Sequence, residues 1–477
     1  MIQEIAPAAE VTAPAPPHVL LVCFPSQGNV NPMLRLAKRL AVKGLLVTCC
    51  TTSGVSAQLL AATSSSASGV VVSSGVDGVR VGSGRIRFEF LDDHGNEKAD
   101  LLRYLETSAP AAFAELLERQ AEAGRPVACV VGTPFVPWAV DVAAAAGVRA
   151  AVLWVQSCAV FSLYYHYAHG LVEFFPSDSE RDQDARVQLP GLPPLSAAEV
   201  PSYLLPSSPY KMYADVIVSQ LRNIDRASWV LVNSFAKLEP DVLAALPGVT
   251  PRPPQLIPVG PLIELDEDGG EVRGDLIKAA DDCVGWLDAQ APRSVVYASV
   301  GSIVVLSAEE AAEMAHGLAS TGRPFLWVVR PDTRPLLPEG FVDTVADRGM
   351  VVPWSPQESV LAHASTACFL THCGWNSTLE TVAAGVPVVA FPYWGDQCTD
   401  AKFLVDEFRM GVRLRAPLRR EAVREAVDAA VAGPEADAML SSAKTWSAVA
   451  RAAMAPGGSS DRHVQAFVDE ITRACGK

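Results

Sequence analysis

The sequence predicts an α/β protein with two domains, because strand-like and helix-like segments alternate along a chain that is too long for one core. At 477 residues, the chain should divide into two folded units. Short apolar runs typical of buried strands alternate with helical stretches in both halves. Hydrophobic residues make up 49% and charged residues 19%, a composition that fits buried parallel sheets.

The first half opens in the manner of a doubly wound, Rossmann-like domain. Residues 1–17 are rich in Ala and Pro and lack the basic start and apolar run of a signal peptide, so we expect a disordered tail. Residues 18–24 then predict a buried strand, 25–32 a loop, 32–42 a helix and 45–50 a second strand. The first loop of such a domain normally lies at the binding cleft, and here it lacks the G-x-G-x-x-G pattern of nicotinamide enzymes.

Composition shifts predict the domain boundaries. The first domain should cover residues 18–250, and its proline-studded segment 188–206 is expected to form an irregular wall of a binding pocket. Residues 251–280 hold five prolines followed by an acidic, Gly-rich run, which is typical of a linker. The second domain should cover residues 281–460, and a final helix is expected at 461–477.

Charge and cysteine content exclude several kinds of partner. The net charge of −15 argues against nucleic acid or an anionic membrane surface. No apolar segment of the sequence is long enough to span a bilayer, so membrane insertion is not expected. The ten cysteines include no C-x-x-C pair of the metal-binding type, so we expect reduced, buried thiols in a cytoplasmic protein, which we also expect to be a monomer.

The most informative stretch covers residues 354–397. Within it, residues 367–370 predict a strand end and 377–384 predict the helix that follows, with Gly374 at the junction. The first N–H groups of that helix have no internal partner, and the helix dipole adds a positive end. The turn therefore predicts an anion-binding site, to which nearby His, Asn and Ser side chains can add further donors.

This stretch resembles the signature box of plant family 1 glycosyltransferases, which use a UDP-sugar donor. The resemblance implies two Rossmann-like domains that face each other across a cleft, the GT-B arrangement, with the final helix crossing back to the first domain. It also implies UDP-glucose as the donor substrate, without a metal or another cofactor. The donor-binding residues would be Ser302, Trp354, Ser355, Gln357, His372, Trp375, Asn376, Ser377, Glu380, Asp396 and Gln397.

The resemblance implies a role for each part of the donor site. Trp354 would stack on uracil, and Gln357 and Glu380 would hold the ribose. The phosphates would be bound by Ser302, His372, Asn376 and Ser377, and the sugar by Trp375, Asp396 and Gln397. A Gln at position 397, rather than a His, resembles the members that prefer glucose.

Softer strings resemble the branch of this family that makes glucose esters of hydroxycinnamic and hydroxybenzoic acids. They are LWVQSC at 153–158, YYHY at 164–167 and GGSSDR at 457–462. By this resemblance the acceptor is a small aromatic molecule. The acceptor-binding residues are expected where strands of the first domain end, at Phe24, Phe135, Trp154 and Gln156.

One departure from the family pattern bears on the mechanism. The family usually carries a catalytic His in a G-H-x-N-P string, and here Asn29 occupies the His position. Its usual Asp partner aligns with Thr133. An Asn cannot accept a proton at neutral pH, and a Thr cannot stabilise an imidazolium, so the catalytic positions Asn29 and Thr133 predict an acceptor that arrives ionised, such as a carboxylic acid.

Two alternatives remain open from the sequence. One is a glucosyltransferase that acts on phenols, thiols or nitrogen with a different base, for which His94 is the candidate. The other is a catalytically silent protein that binds a UDP-sugar or a small aromatic ligand. Loss of both catalytic positions favours the silent protein, whereas the intact donor-binding box disfavours it.

Overall fold

Two β-sheets organise the part of the chain that the computed structural model describes. These residues are 15–59, 78–93, 98–175, 182, 184–250, 253–264 and 282–475. Most of the predicted N-terminal tail, most of the predicted linker and the candidate base His94 therefore lie outside the described residues.

The first sheet contains eight strands. They are β1 (His18–Val22), β2 (Leu46–Thr52), β3 (Val79–Val81), β4 (Gly84–Leu91), β5 (Val127–Gly132), β6 (Arg149–Trp154), β7 (Trp229–Val232) and β8 (Leu256–Pro258). The strand order is β3-β4-β2-β1-β5-β6-β7-β8, and every pair is parallel except β3 with β4.

Helices cover both faces of this sheet. They are α1 (Gln27–Val42), α2 (Lys98–Thr107), α3 (Ala109–Glu122), α4 (Trp138–Ala145), α5 (Cys158–Ala168), α6 (Lys211–Arg222) and α7 (Pro240–Ala245). Alternate residues of β1 enter opposite cores: Leu20 packs in one hydrophobic cluster, and Val19 and Leu21 pack in the other. Burial on both faces explains why the central strands β1, β5, β6 and β7 are apolar at nearly every position.

The second sheet contains six parallel strands in the order β11-β10-β9-β12-β13-β14. They are β9 (Val295–Ser299), β10 (Phe325–Val328), β11 (Gly349–Val352), β12 (Thr366–Thr371), β13 (Val388–Ala390) and β14 (Gly411–Arg413). The accompanying helices are α8 (Cys283–Asp288), α9 (Ala308–Ser320), α10 (Phe341–Thr344), α11 (Gln357–Ala362), α12 (Trp375–Ala384), α13 (Gln397–Lys402), α14 (Arg420–Ala432), α15 (Ala436–Met454) and α16 (Ser459–Cys475).

The strand order reverses once in each sheet. In the first sheet the reversal lies between β1 and β5, and in the second it lies between β9 and β12. In open α/β sheets, ligands bind outside the carboxyl ends of the strands at such a reversal. The predicted α/β class with two Rossmann-like sheets is confirmed. A ligand site is therefore expected at the loops that follow β1, β5, β9 and β12.

The largest differences from the predicted boundaries concern α1 and β8. Helix α1 begins at Gln27 rather than at residue 32, so Asn29 lies in its first turn and Pro32 lies inside the helix. Residues 256–258, assigned to the linker, form the edge strand β8 instead. A proline is tolerated in an edge strand because its missing N–H faces away from the sheet.

Helix α16 packs against the first sheet. Phe467 is 2% exposed, and its ring lies 5.1 Å from the ring of Trp229 on β7. The indole N–H of Trp229 donates to Glu470 at 2.9 Å, and Lys43 at the end of α1 pairs with Asp461 at 2.7 Å. Among the helices of the described ranges, none combines the length and apolar character that crossing a membrane requires.

We expect Phe467→Ala to lower the free energy of unfolding by about 3–5 kcal/mol, because it leaves a cavity between α16 and the first sheet. Urea unfolding followed by tryptophan fluorescence measures this change. Arg473→Ala on the exposed face of the same helix serves as the control and should change the free energy by less than about 0.5 kcal/mol. A similar value for both variants would contradict close packing of α16 on the sheet.

Candidate active site

A cleft of about 370 Å³ lies between the carboxyl ends of the two sheets. The loops that follow β1, β5, β9 and β12, at the two strand-order reversals, contribute residues to its walls. All the residues that the sequence predicts to bind the donor line this cleft, namely Ser302, Trp354, Ser355, Gln357, His372, Trp375, Asn376, Ser377, Glu380, Asp396 and Gln397. The structure therefore brings the predicted donor residues together, although they are spread over nearly 100 positions of the sequence.

The start of helix α12 faces the cleft with its backbone amides available. Gly374 is the N-cap residue in an extended conformation (φ −62°, ψ 147°), and it has no side chain to cap the helix. No acidic residue lies in the first turn. A helix start without a cap offers N–H groups and a partial positive charge to an anion.

His372 lies between two glycines beside this helix start. A Cβ atom placed on either Gly301 or Gly374 would come within 2.5 Å of His372 Nε2, so only glycine allows the backbone to approach this closely. Burial, assisted by the nearby Arg330, lowers the pKa of His372 to about 4, against the opposing effect of the Ser299 backbone. The imidazole is therefore neutral at pH 7 and can donate a single N–H.

Gln357 and Glu380 belong to one hydrogen-bond network. Gln357 Nε2 donates to Glu380 Oε2 at 2.6 Å and to Ser377 Oγ at 2.9 Å, while Gln357 Oε1 accepts from Tyr297 at 3.0 Å. The Tyr297 hydroxyl also lies 2.9 Å from Ser355 Oγ. The amide and the carboxylate are thus held in fixed orientations at the cleft wall.

Asp396 and Gln397 lie at the start of α13. Burial raises the pKa of Asp396 to about 6, although a hydrogen bond from the Gln156 side chain opposes this shift. Gln397 Oε1 accepts from the backbone N–H groups of Tyr393 and Trp394 at 2.9 and 3.2 Å. Since its carbonyl oxygen is occupied in this way, the amide group of Gln397 is left to donate.

Two side chains of α12 reach across the cleft to residues that follow β7 and begin α1. Trp375 Nε1 donates to the carbonyl of Asn233 at 2.6 Å, so the indole N–H is not available to a sugar. Asn376 Nδ2 donates to the carbonyl of Gly28 at 3.1 Å. Inside a helix, the carbonyl of residue 28 would normally accept from the N–H of residue 32, but Pro32 has none. The proline therefore frees the acceptor that Asn376 uses.

Asn29 lines the cleft from the first turn of α1 and is 6% exposed. Its Nδ2 donates to Ser26 Oγ at 3.0 Å, and its Oδ1 has no hydrogen-bond partner in the described part of the chain. Thr133 is different: it is buried directly after β5 and does not line the cleft. The expectation that Thr133 occupies the position of the usual Asp partner behind residue 29 stays a prediction, since such a partner need not contact the substrate.

The predicted acceptor residues divide into two groups. Phe135 and Gln156 line the cleft. Phe24 does not line it but packs its ring 5.5 Å from that of Phe135. The placement of Trp154 in the acceptor pocket is wrong: its side chain is fully buried, 5.0 Å from the ring of Phe161, because it is the last residue of β6 that points into the core.

Several cleft residues were missed by sequence reasoning. Tyr203 lies in the proline-studded segment 188–206 and lines the cleft, with its ring 5.7 Å from Tyr213. Arg35 on α1 reaches across to Glu358 and Glu380 at 2.8 and 3.3 Å. The one signal for Arg35 was a charged residue between two leucines in a helical stretch.

Comparison with known proteins identifies the family. The family model described as UDP-glucoronosyl and UDP-glucosyl transferase matches residues 276–443. A gallate 1-beta-glucosyltransferase of Punica granatum is 45% identical, with 96% of this chain and 89% of the relative covered. The chain belongs to this family. A cinnamate beta-D-glucosyltransferase of Fragaria ananassa is also 45% identical, over 96% of this chain and 83% of that protein.

Solved structures of related transferases share the whole fold. The crystal structure of Os79 from O. sativa in complex with UDP has a TM-score of 0.83 at 31% identity and covers 95% of this chain and 100% of that chain. The structure of Phytolacca americana UGT2 complexed with UDP-2fluoro-glucose and pterostilbene has a TM-score of 0.79 at 25% identity, over 96% and 100% of the two chains. The predicted plant family 1 membership and GT-B arrangement of this UDP-glycosyltransferase are confirmed.

We expect His372→Ala to weaken UDP binding by about ten- to a hundredfold, because the diphosphate would lose a hydrogen bond from a close donor. Isothermal titration calorimetry with UDP measures the loss. His316→Ala is the matched control, since His316 lies on α9 and does not line the cleft. Unchanged UDP affinity in the His372 variant would contradict the placement of the phosphates at the start of α12.

Proposed function

We propose that this enzyme transfers glucose from UDP-glucose to the carboxylate of a small aromatic acid and forms a glucose ester with inversion. The observation that carries the proposal is the position of Asn29. It faces the cleft from the first turn of α1, where the family usually carries the His that acts as base, and an amide cannot take up a proton.

The acidity of the acceptor decides whether a base is needed. A phenol with a pKa near 10 is only about 0.1% ionised at pH 7, a deficit of roughly 4 kcal/mol that a general base normally offsets. An aromatic carboxylic acid resembles a side-chain carboxyl with a pKa near 4, so it is almost wholly ionised. Such an acceptor requires positioning and electrostatic stabilisation rather than deprotonation.

The charges around the cleft support an acceptor that remains nucleophilic. Among the described residues that line the cleft, Arg35 is the only Lys or Arg, and it contacts Glu358 and Glu380. An acceptor carboxylate near Asn29 would therefore meet neutral donors. Asn29 Nδ2 has a second hydrogen besides the one it donates to Ser26, and the start of α1 adds its partial positive charge.

We assign the donor to the second-sheet side of the cleft. In this proposal the start of α12 with His372 binds the diphosphate, Trp354 stacks on uracil, and the network of Gln357 and Glu380 holds the ribose. Asp396 and the donating amide of Gln397 would bind the glucose hydroxyls. Trp375 would contact the sugar through its ring or backbone, because its indole N–H already donates to the carbonyl of Asn233.

The chemical step follows from these positions. A carboxylate oxygen of the acceptor attacks C1 of glucose from the face opposite to the diphosphate, the new C–O ester bond forms, and the bond from C1 to the departing phosphate oxygen breaks. The electron pair of the broken bond leaves with UDP, whose added negative charge is stabilised by the start of α12. No proton has to be removed from the acceptor.

A second candidate is transfer to a hydroxyl group. Asn29 Oδ1 is buried and accepts no hydrogen bond from the residues that the structure describes, so it could accept one from an acceptor O–H. It cannot take the proton away, however, so this reaction would require another base. A silent binding protein would keep the donor site and lack turnover altogether.

We expect Phe135→Ala and Gln156→Ala each to raise the KM for the aromatic acceptor by about tenfold, since both residues line the cleft. Only Phe135→Ala should leave the KM for UDP-glucose nearly unchanged, because Gln156 also hydrogen-bonds Asp396. Steady-state kinetics with each substrate varied in turn measures the two constants. Tyr167→Ala on α5, which does not line the cleft, is the control. No change for any acceptor in either variant would place the acceptor pocket elsewhere.

We expect Asn29→His to increase transfer to phenols more than transfer to carboxylates, because it introduces a base that only weakly acidic acceptors need. The gain should be larger in Asn29→His/Thr133→Asp, where a carboxylate can stabilise the imidazolium. The substrate is one aromatic compound that carries both a carboxyl and a phenol. Treating the products with mild alkali separates the linkages, because an ester hydrolyses and an aryl glucoside largely persists.

The wild-type protein is its own reference in this experiment. Its product should be mostly alkali-labile. Mostly alkali-stable product would contradict the ester mechanism and support transfer to hydroxyl groups. The absence of product with a broad panel of acceptors, together with tight binding of UDP-glucose, would support the silent binding protein.

A further inference from the structure

Arg35 connects the two sides of the cleft. It lies on α1 and is 8% exposed. Its Nη2 is 2.8 Å from Glu358 Oε1 on α11, and its Nη1 is 3.3 Å from Glu380 Oε1 on α12. Nη1 also donates to the carbonyl of Leu262 at 3.0 Å, in the segment that leaves β8. One guanidinium is therefore shared by two carboxylates of the second-sheet side.

The surroundings of Glu380 explain what this cation can do. Glu380 is 7% exposed and faces Arg35 from α1, Glu358 from α11 and Tyr297 from β9. Among these groups only Arg35 carries a positive charge. Burial and the neighbouring Glu380 raise the pKa of Glu358, an effect that Arg35 and the backbone N–H of Glu264 oppose and the charge of Glu264 increases. The buried Glu380 and the half-buried Glu358 thus share one counter-charge.

We propose that Arg35 is a positioning residue for donor binding, which keeps Glu380 ionised and oriented toward the ribose hydroxyls of the UDP-sugar. This inference rests on the proposed role of Glu380 in holding the ribose. An ionised carboxylate accepts hydrogen bonds from both hydroxyls, whereas a protonated one gives up part of that capacity. Because Arg35 belongs to α1, this support exists only when the two sides of the cleft are together.

The alternative is an ion pair that only stabilises the fold. A buried ion pair often adds little net stability, because the cost of desolvation offsets the attraction. If Arg35 only stabilised the fold, its removal would weaken the binding of every uridine nucleotide to the same extent. A positioning residue instead changes the preference for ribose over deoxyribose, since Glu380 would contact the hydroxyls that distinguish them. The two roles can therefore be separated by the choice of ligand.

The experiment compares UDP with 2′-deoxy-UDP by isothermal titration calorimetry on the full chain. The wild-type protein should bind UDP roughly tenfold more tightly, because the deoxy compound loses a hydrogen bond to a charged acceptor. In Arg35→Met, UDP affinity should fall by about ten- to a hundredfold and the preference should approach one, as one of the two facing carboxylates takes up a proton. Arg35→Lys keeps the charge and should restore most of the preference.

The pH dependence gives a second readout. Without the guanidinium, Glu358 and Glu380 face each other with no cation between them, so the doubly ionised pair is present at high pH and is lost as the pH falls and the pair takes up a proton. The ratio of UDP affinity in Arg35→Met to that of the wild type should therefore decrease between pH 8 and pH 6. Using the ratio removes the titration of the UDP phosphate itself, which both proteins experience.

Lys43→Met is the matched control. It removes the ion pair of Lys43 with Asp461 at the end of the same helix and should leave both affinities unchanged. If Arg35→Met does not fold, Arg35→Gln replaces it, because its polar side chain removes the charge without leaving an apolar group beside the carboxylates, and the same loss of preference is expected.

An equal loss of affinity for both nucleotides, with the preference retained, would overturn the proposal and leave Arg35 a structural role. A wild-type protein without any ribose preference would also overturn it, by removing the role of Glu380. Neither result bears on the ester linkage of the product, so failure of this inference and failure of the proposed function are distinguishable.

Discussion

The start of helix α12 is held from both sides of the cleft, and the geometry of the predicted donor residues depends on this arrangement. On one side, the turn after β12 leaves the first amides of the helix without partners inside the helix. On the other, Trp375 and Asn376 donate to the carbonyls of Asn233 and Gly28 of the first-sheet side at 2.6 and 3.1 Å. Pro32 leaves the Gly28 carbonyl without its usual helical donor, so this oxygen can accept from Asn376 without competition. The start of α12 is thus oriented by contacts from both sides of the cleft.

Most of the fold could be predicted from local sequence patterns, because buried parallel strands are continuous apolar runs and the intervening helices have their own periodicity. The errors occurred where local patterns compete with distant contacts. Helix α1 begins at Gln27 rather than at Pro32, because its first turn, which proline and glycine would disfavour in isolation, is stabilised by packing in the cleft. The sequence of β8 predicted a linker, because a three-residue strand that ends in a proline is too short to show a periodic pattern. Its strand conformation comes from pairing with β7.

All the residues predicted to bind the donor line the cleft, because they lie within one box and one further loop. The residues predicted to bind the acceptor do not all line it. Position at a strand end does not give the direction of a side chain, so Trp154 points into the core while Gln156, two residues later, reaches the cleft. Arg35 could not be found at all, because its partner Glu380 is 345 residues away in the sequence. Such a pairing is created by the tertiary fold alone.

Two helix starts, those of α1 and α12, lie on opposite walls of the same cleft. In the proposed ester formation, a negative charge would pass from the acceptor beside Asn29 to the diphosphate beside Gly374. The ester is then neutral and is no longer attracted to the partial positive charge of α1, whereas UDP is more strongly attracted to α12 than the donor was. The electrostatics of the cleft would therefore favour early release of the ester and slow release of the nucleotide. Accumulating UDP would then inhibit turnover.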